Sequence, residues 1–255
     1  MSDRRDCYYW RVAATGLSFA LFGLGGIILG YTLLPAVALL SRSQALAVRR
    51  CRWLIHQSFR LFVGFMRWVG VLTYDLQGED ILEREGQLII ANHPTLIDVV
   101  FLISRVPNAS CIVKSQLYEN VFTRGPVRLA NYIPNNSPHQ LVEECSAQIA
   151  AGASLVVFPE GGRSAGILPS RFKRGAAYLW LRARCPVSLV TISSIPPTLA
   201  KHEKWYQVPA VRPHFRLVAK DETVAASPDG EDYASSTARS LTRQWQDHFS
   251  KEIMI

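Results

Sequence analysis

Apolar positions divide the 255-residue chain into two textures. From residue 12 to residue 41 no side chain is charged. A helix over residues 12–34 alone would extend about 35 Å, enough to cross a hydrocarbon core. Pro35 is expected to end or kink it. Over residues 49–72 a helical wheel gathers Arg49, Arg52, His56, Arg60 and Arg67 into one narrow stripe, and Trp53, Leu54, Leu61, Phe62, Phe65, Met66, Trp68 and Val69 fill the remainder. This predicts a helix lying on a bilayer, arginines at the phosphates and tryptophans at the interface. An ordinary core-packed helix with a solvated charge stripe is the alternative. Gly26 and Gly30 form a small-xxx-small pair suited to packing against another helix.

Beyond Gly78, short apolar runs at 87–91, 109–113 and 154–158 alternate with helix-like stretches at 141–151 and 175–184. Further strands are read at 187–193 and 213–219. A polar loop over 221–230 then leads into a helix carrying Tyr233, Leu241, Trp245 and Phe249. The alternation predicts an α/β fold, a mainly parallel central sheet flanked by helices, with an N-terminal membrane-associated helical segment. Functional groups should gather beyond the carboxyl ends of the strands. The expected division is residues 1–77 as transmembrane and interfacial helices and residues 78–255 as the α/β domain.

Charge changes the picture in one respect. The chain holds 28 Lys and Arg against 20 Asp and Glu, a net +8, which favours anionic partners: phospholipid, nucleic acid, coenzyme A or an acidic carrier protein. No nucleic-acid-binding motif accompanies the charge, so it is assigned to a phospholipid membrane and an anionic donor. Arg42, Arg49, Arg50 and Arg52 outweigh Arg4, Arg5 and Arg11, which predicts an inner-membrane protein whose α/β domain faces the cytoplasm. A cleaved signal peptide competes, although the apolar run is long for one, and a re-entrant helical hairpin is a third reading. Five cysteines, odd in number and without a Cys-x-x-Cys pair, point to a reducing compartment.

Two short stretches carry the candidate chemistry. In "QLIIANHPTLID" the apolar run stops at Asn92, His93 and Pro94, with Asp98 five residues beyond the histidine. If Pro94 opens a helix, Asp98 lies in its first turn and can bind one nitrogen of His93, leaving the other to accept a proton. A helix cap with a buried, satisfied histidine is the equal alternative. In "SLVVFPEGGRS" Gly161 and Gly162 expose backbone N–H groups, and Arg163 adds a planar fork for phosphate or carboxylate. Glu160 is read as orienting Arg163 or holding a substrate hydroxyl. Gly162-Arg-Ser-Ala-Gly166 also fits a hydrolase pattern with Ser164 as nucleophile, though the turn sits too far beyond its strand. A metal site from His93, Asp98 and Glu160 has no supporting spacing.

Together these residues resemble the glycerophospholipid acyltransferase family, which includes the 1-acylglycerol-3-phosphate acyltransferases. Asn92, His93 and Asp98 match its Asn-His-x-x-x-x-Asp motif. Phe158 to Ser164 match Phe-Pro-Glu-Gly-Thr-Arg-Ser except at Gly162, and Phe172, Lys173 and Gly175 match Phe-Lys-x-Gly. The resemblance, from about Gly78 to Ser194, implies that His93, oriented by Asp98, deprotonates a lysolipid hydroxyl. That hydroxyl attacks an acyl thioester on coenzyme A or acyl carrier protein, with no further cofactor. Asn92, Glu160, Gly161, Gly162, Arg163 and Lys173 would bind substrate, and Lys114 or nearby backbone N–H groups would face the oxyanion. Two departures weaken lysophosphatidate as acceptor. Asn135 and Asn136 stand where the family's second motif usually ends in arginine, and Leu189 replaces a proline of the fourth. A non-phosphorylated lipid or polyketide acceptor, and a lipid-binding module without turnover, are the competing readings.

Overall fold

The computed structural model describes residues 6–135, 138–164, 169–224 and 231–253, without the side chains of residues 138–139 and 231–234. Arg4, Arg5, Asn136, Gly166, residues 225–230 of the polar loop and the side chain of Tyr233 lie outside that description.

The uncharged N-terminal run forms α1 (Tyr8–Ile28), a π-helical turn (Leu29–Leu33) and α2 (Leu34–Leu39), one apolar rod long enough by length and composition to span a membrane. Pro35 does not stop it. Proline removes the N–H that would bond to Tyr31 and crowds that carbonyl, and the widened π turn lies directly before it. α3 (Gln44–Trp68) then packs back along α1 and α2, so the segment is a helical hairpin. The small-xxx-small pair does pack a helix, one within this chain: a Cβ on Gly26 would lie 2.6 Å from the Phe122 carbonyl oxygen, and one on Gly30 2.8 Å from the Pro126 ring. The hairpin is therefore docked on the domain, and Leu29, Leu34, Cys51, Ile55, Val63 and Met66 share one core with the sheet.

The charge stripe of α3 needs correcting. Arg49, Arg60 and Arg67 face outward with Trp53, Leu61 and Trp68, but Arg52 and His56 are turned inward and buried. Arg52 donates to the Ala130 and Asn131 carbonyls, Asn108 Oδ1 and Gln148 Oε1, and His56 Nδ1 lies 2.9 Å from the Ile103 carbonyl oxygen. A buried guanidinium is tolerable only when so fully paired.

The sheet contains β1 (Thr73–Gln77), β2 (Leu88–Ala91), β3 (Ala109–Val113), β4 (Ile133–Pro134), β5 (Ser154–Val157), β6 (Val187–Ile195) and β7 (His214–Glu222), in the order β1-β7-β6-β2-β5-β3-β4. Among the described residues only the β6–β7 pair is antiparallel. The central strands β2 and β5 are buried along their whole length, as their unbroken apolar runs predict. The remaining helices are α4 (Glu79–Leu82), α5 (Asp98–Ile103), α6 (Arg124–Leu129), α7 (Pro138–Ala150), α8 (Gly175–Ala183) and α9 (Glu231–Ile253). α7, α8 and α9 pack side by side, and Cys145, Trp180, Trp245 and Phe249 belong to the core cluster beneath them.

Cys51, Cys111, Cys145 and Cys185 are buried and free, whereas Cys7 is exposed. Burial pushes the Cys111 and Cys145 thiols up to about 12, far from the thiolate form that reacts. A thiol reagent should therefore titrate one fast group in the native protein and the other four only on unfolding. A second fast thiol would contradict this packing.

Candidate active site

Parallel pairing brings two strand ends together beside the middle of β6: Ile90 lies opposite Val157 and Ala91 opposite Val190, so the segments leaving β2 and β5 emerge side by side. The first of them holds His93. Its Nδ1 lies 2.8 Å from Asp98 Oδ2, and its ring stacks on Phe158 with centroids 4.4 Å apart. Nε2 makes no hydrogen bond among the described residues. Asp98 is fully buried, and its carboxylate also accepts the Thr95 N–H at 2.7 Å and the Thr95 hydroxyl. Burial pushes the Asp98 carboxyl up, while the bonds from His93 and Thr95 pull it down.

Pro94 does not open the helix. α5 begins at Asp98, and residues 94–97 form a turn folded around the Asp98 carboxylate. A side chain that accepts both Thr95 donors fixes this turn, and it holds the imidazole as effectively as the expected helical turn would.

Other expected site residues take different roles. Asn92 is buried and spends its amide on β6, donating to the Ile192 carbonyl at 2.8 Å and accepting the Ile192 N–H at 2.7 Å. It extends the β2–β6 ladder with one of its two N–H donors. Glu160 does not orient Arg163. It accepts the His93 N–H at 2.9 Å, the Ser164 hydroxyl at 2.6 Å and the Ser170 N–H at 2.7 Å. A buried carboxylate thus ties the exit of β2 to both flanks of the 164–170 segment, a role with no sequence signal beyond the glutamate itself.

Arg163 sends Nη1 to the Leu199 and Ala200 carbonyls, 3.1 and 2.9 Å away, pinning the strap of residues 196–213 that joins β6 to β7. Gly161 has φ +73°, a backbone conformation that favours glycine, and a Cβ there would meet Lys173 Nζ at 2.6 Å, so the lysine tip would have to shift. Gly162 is different: a Cβ would meet no atom within 4 Å, so the family's threonine would fit. Lys114 is exposed just beyond β3, on the same edge of the sheet. Ser164 is buried, and its hydroxyl is committed to Glu160 rather than to any imidazole.

An apolar cavity of about 180 Å³ adjoins the turn at residues 94–97. Leu96 and Ile97 of that turn, Phe19 and Phe22 of α1, Phe62 and Met66 of α3, and Leu199 and Trp205 of the strap line it. The strap's far end is held by Arg11, buried at 1% exposure, which donates to the Pro209 and Ala210 carbonyls at 2.8 and 2.6 Å. Sequence reasoning missed this wall because it comes from segments some 200 positions apart.

An acyltransferase family model matches residues 74–193, the stretch holding the His93–Asp98 pair and the Glu160–Arg163 loop. That stretch of the chain is similar to acyltransferase domains. Over 120 residues, 43% of this chain and 50% of the relative, it is 29% identical to a 1-acyl-sn-glycerol-3-phosphate acyltransferase of Helicobacter pylori. The chain spans about half the length of the curated relatives it matches. In fold it is similar to the crystal structure of the 1-acyl-sn-glycerophosphate acyltransferase PlsC of Thermotoga maritima, with a TM-score of 0.68, 15% identity, and coverage of 93% of this chain and 96% of that one. That likeness in fold includes the N-terminal hairpin, since so little of the chain lies outside it.

Proposed function

We propose that the protein is a membrane-associated O-acyltransferase that moves a fatty acyl group from an acyl thioester, on coenzyme A or acyl carrier protein, to a hydroxyl of a lysophospholipid such as 1-acylglycerol-3-phosphate. The observation that carries this reading is the His93 ring, one nitrogen held by a buried carboxylate and the other unspent, where the strands β2 and β5 end. Nε2 takes the acceptor proton as the hydroxyl oxygen attacks the thioester carbonyl carbon. The new C–O bond forms, the tetrahedral oxyanion collapses with cleavage of C–S, and the imidazolium returns the proton to the departing thiolate. Lys173 and the remaining donors of Arg163 supply positive charge for an anionic headgroup. The name of the H. pylori relative supports the choice of acceptor.

The outward face of α1 carries Leu17, Leu21, Leu24 and Ile28, spaced to form one stripe, and that of α3 mixes Trp53, Leu61 and Trp68 with Arg50, Arg60 and Arg67. Apolar side chains and tryptophans beside arginines suit the boundary between headgroups and acyl chains. We place this hairpin in the cytoplasmic face of the inner membrane.

A second reading has its own observation. Part of the Arg163 fork is committed to the strap, and the usual arginine of the second motif is absent, which favours an acceptor without phosphate. Protein in vesicles, given labelled acyl-coenzyme A or acyl carrier protein and a lysolipid panel, should convert lysophosphatidate to a diacyl product. Faster conversion of the matching monoacylglycerol would select the second reading, and transfer to no acceptor would leave a lipid-binding module. Ser164→Ala removes one hydrogen bond, so its rate should stay within about tenfold of the wild type. Loss of all activity there, with His93→Ala active, would select a serine esterase instead.

A further inference from the structure

The cavity beside the catalytic turn is not uniformly apolar. Thr15 of α1 and Thr198 of the strap line it, are 5% and 7% exposed, and donate hydrogen bonds to no described residue. Thr15 stands apart from its helical neighbours. Ser18, Thr32, Ser58, Thr242 and Ser250 each donate to the carbonyl four residues back, the ordinary way for a helical hydroxyl to be satisfied. Thr15 makes no such bond to Arg11. Neither hydroxyl is among the sealed-in unpartnered atoms of the described residues, so each opens on the cavity; a plain chain filling that space would leave it unpaired, and a chain carrying an oxygen would not.

From this we infer that the cavity selects an oxygenated acyl chain, a hydroxy- or oxo-fatty acyl group, whose oxygen meets the Thr15 and Thr198 hydroxyls. This rests on the acyltransferase reading and specifies its donor. A purely apolar pocket accepts an added hydroxyl with little discrimination, whereas one holding unpaired hydrogen-bonding groups disfavours the chain that lacks the oxygen. Leu96 and Ile97 place the cavity against the turn between His93 and Asp98, where the chain of a bound thioester must run.

The test compares stearoyl-coenzyme A with a panel of hydroxystearoyl-coenzyme A positional isomers in the vesicle assay, and the free acids as displacers of cis-parinaric acid. At least one isomer should exceed stearate by about three- to tenfold in both transfer and displacement. Thr15→Val and Thr198→Val keep the shape of the wall and remove the oxygen, so each should collapse that ratio towards one. Ser58→Ala, whose hydroxyl is spent within α3 and which does not line the cavity, should preserve it. Equal handling of plain and hydroxylated chains, or a ratio that survives both valine substitutions, would overturn the inference. Displacement without any transfer would sink the acyltransferase reading and still decide the selectivity.

Discussion

His93→Ala is expected to lower kcat by about 10²–10⁴ with little effect on folding, since positioned general bases contribute on that order. The ring is partly exposed, and its alanine would leave Asp98 still bonded to Thr95. A Phe158 face would be uncovered, a modest packing loss. Steady-state kinetics with saturating donor, beside a thermal melt, separates the two effects. Retention of more than a tenth of the wild-type rate in a folded variant would remove His93 from the chemistry. Asp98→Ala should be worse for the protein as a whole, because it leaves the Thr95 N–H and hydroxyl unbonded in the interior as well as the imidazole unoriented.

The second large effect is expected at Glu160, and it distinguishes positioning from binding. Its carboxylate accepts two backbone N–H groups and a hydroxyl at a buried site, so Glu160→Ala should cost about 3–5 kcal/mol of stability, at roughly 1.5–3 kcal/mol for each bond to a charged group and some relaxation. Glu160→Gln keeps the shape but must present an NH2 to one of the two backbone donors. Because Glu160 holds the His93 main chain, kcat should fall in the Gln variant while KM for the acceptor stays within about threefold. A rise confined to KM would show instead that the carboxylate holds a substrate hydroxyl, as its position in the motif first indicates.

These two residues also show what could be read from sequence. The strands were legible because β2, β3 and β5 are short, mostly apolar runs, closed by Asn92, Lys114 and Pro159 respectively. The His93–Asp98 pair was legible because a five-residue separation lets the carboxylate meet the ring whether the intervening turn is helical or not. Glu160 was not, since its three partners lie at positions 93, 164 and 170 and no periodicity joins them. Arg52 and His56 misled because a helical wheel gives direction and not surroundings. It cannot show that carbonyls from residues 103, 130 and 131 wait on the inner side. The strap of residues 196–213 offers only Trp205 and Tyr206 as a hint, and Trp205 packs so closely on α1 that a Cβ on Gly16 would lie 3.0 Å from its ring.

Arg11 and the carbonyl it reaches at Pro209 are separated by 198 positions. During synthesis, then, the first helix emerges with only the Asp6 carbonyl to answer its guanidinium, and the greasy chamber lacks its far wall until the ribosome has delivered nearly the whole polypeptide. A chain cut short before Pro209 would lack β7, which pairs with both β1 and β6, and would carry a half-answered cation on an otherwise oily rod, a ready target for quality-control proteases.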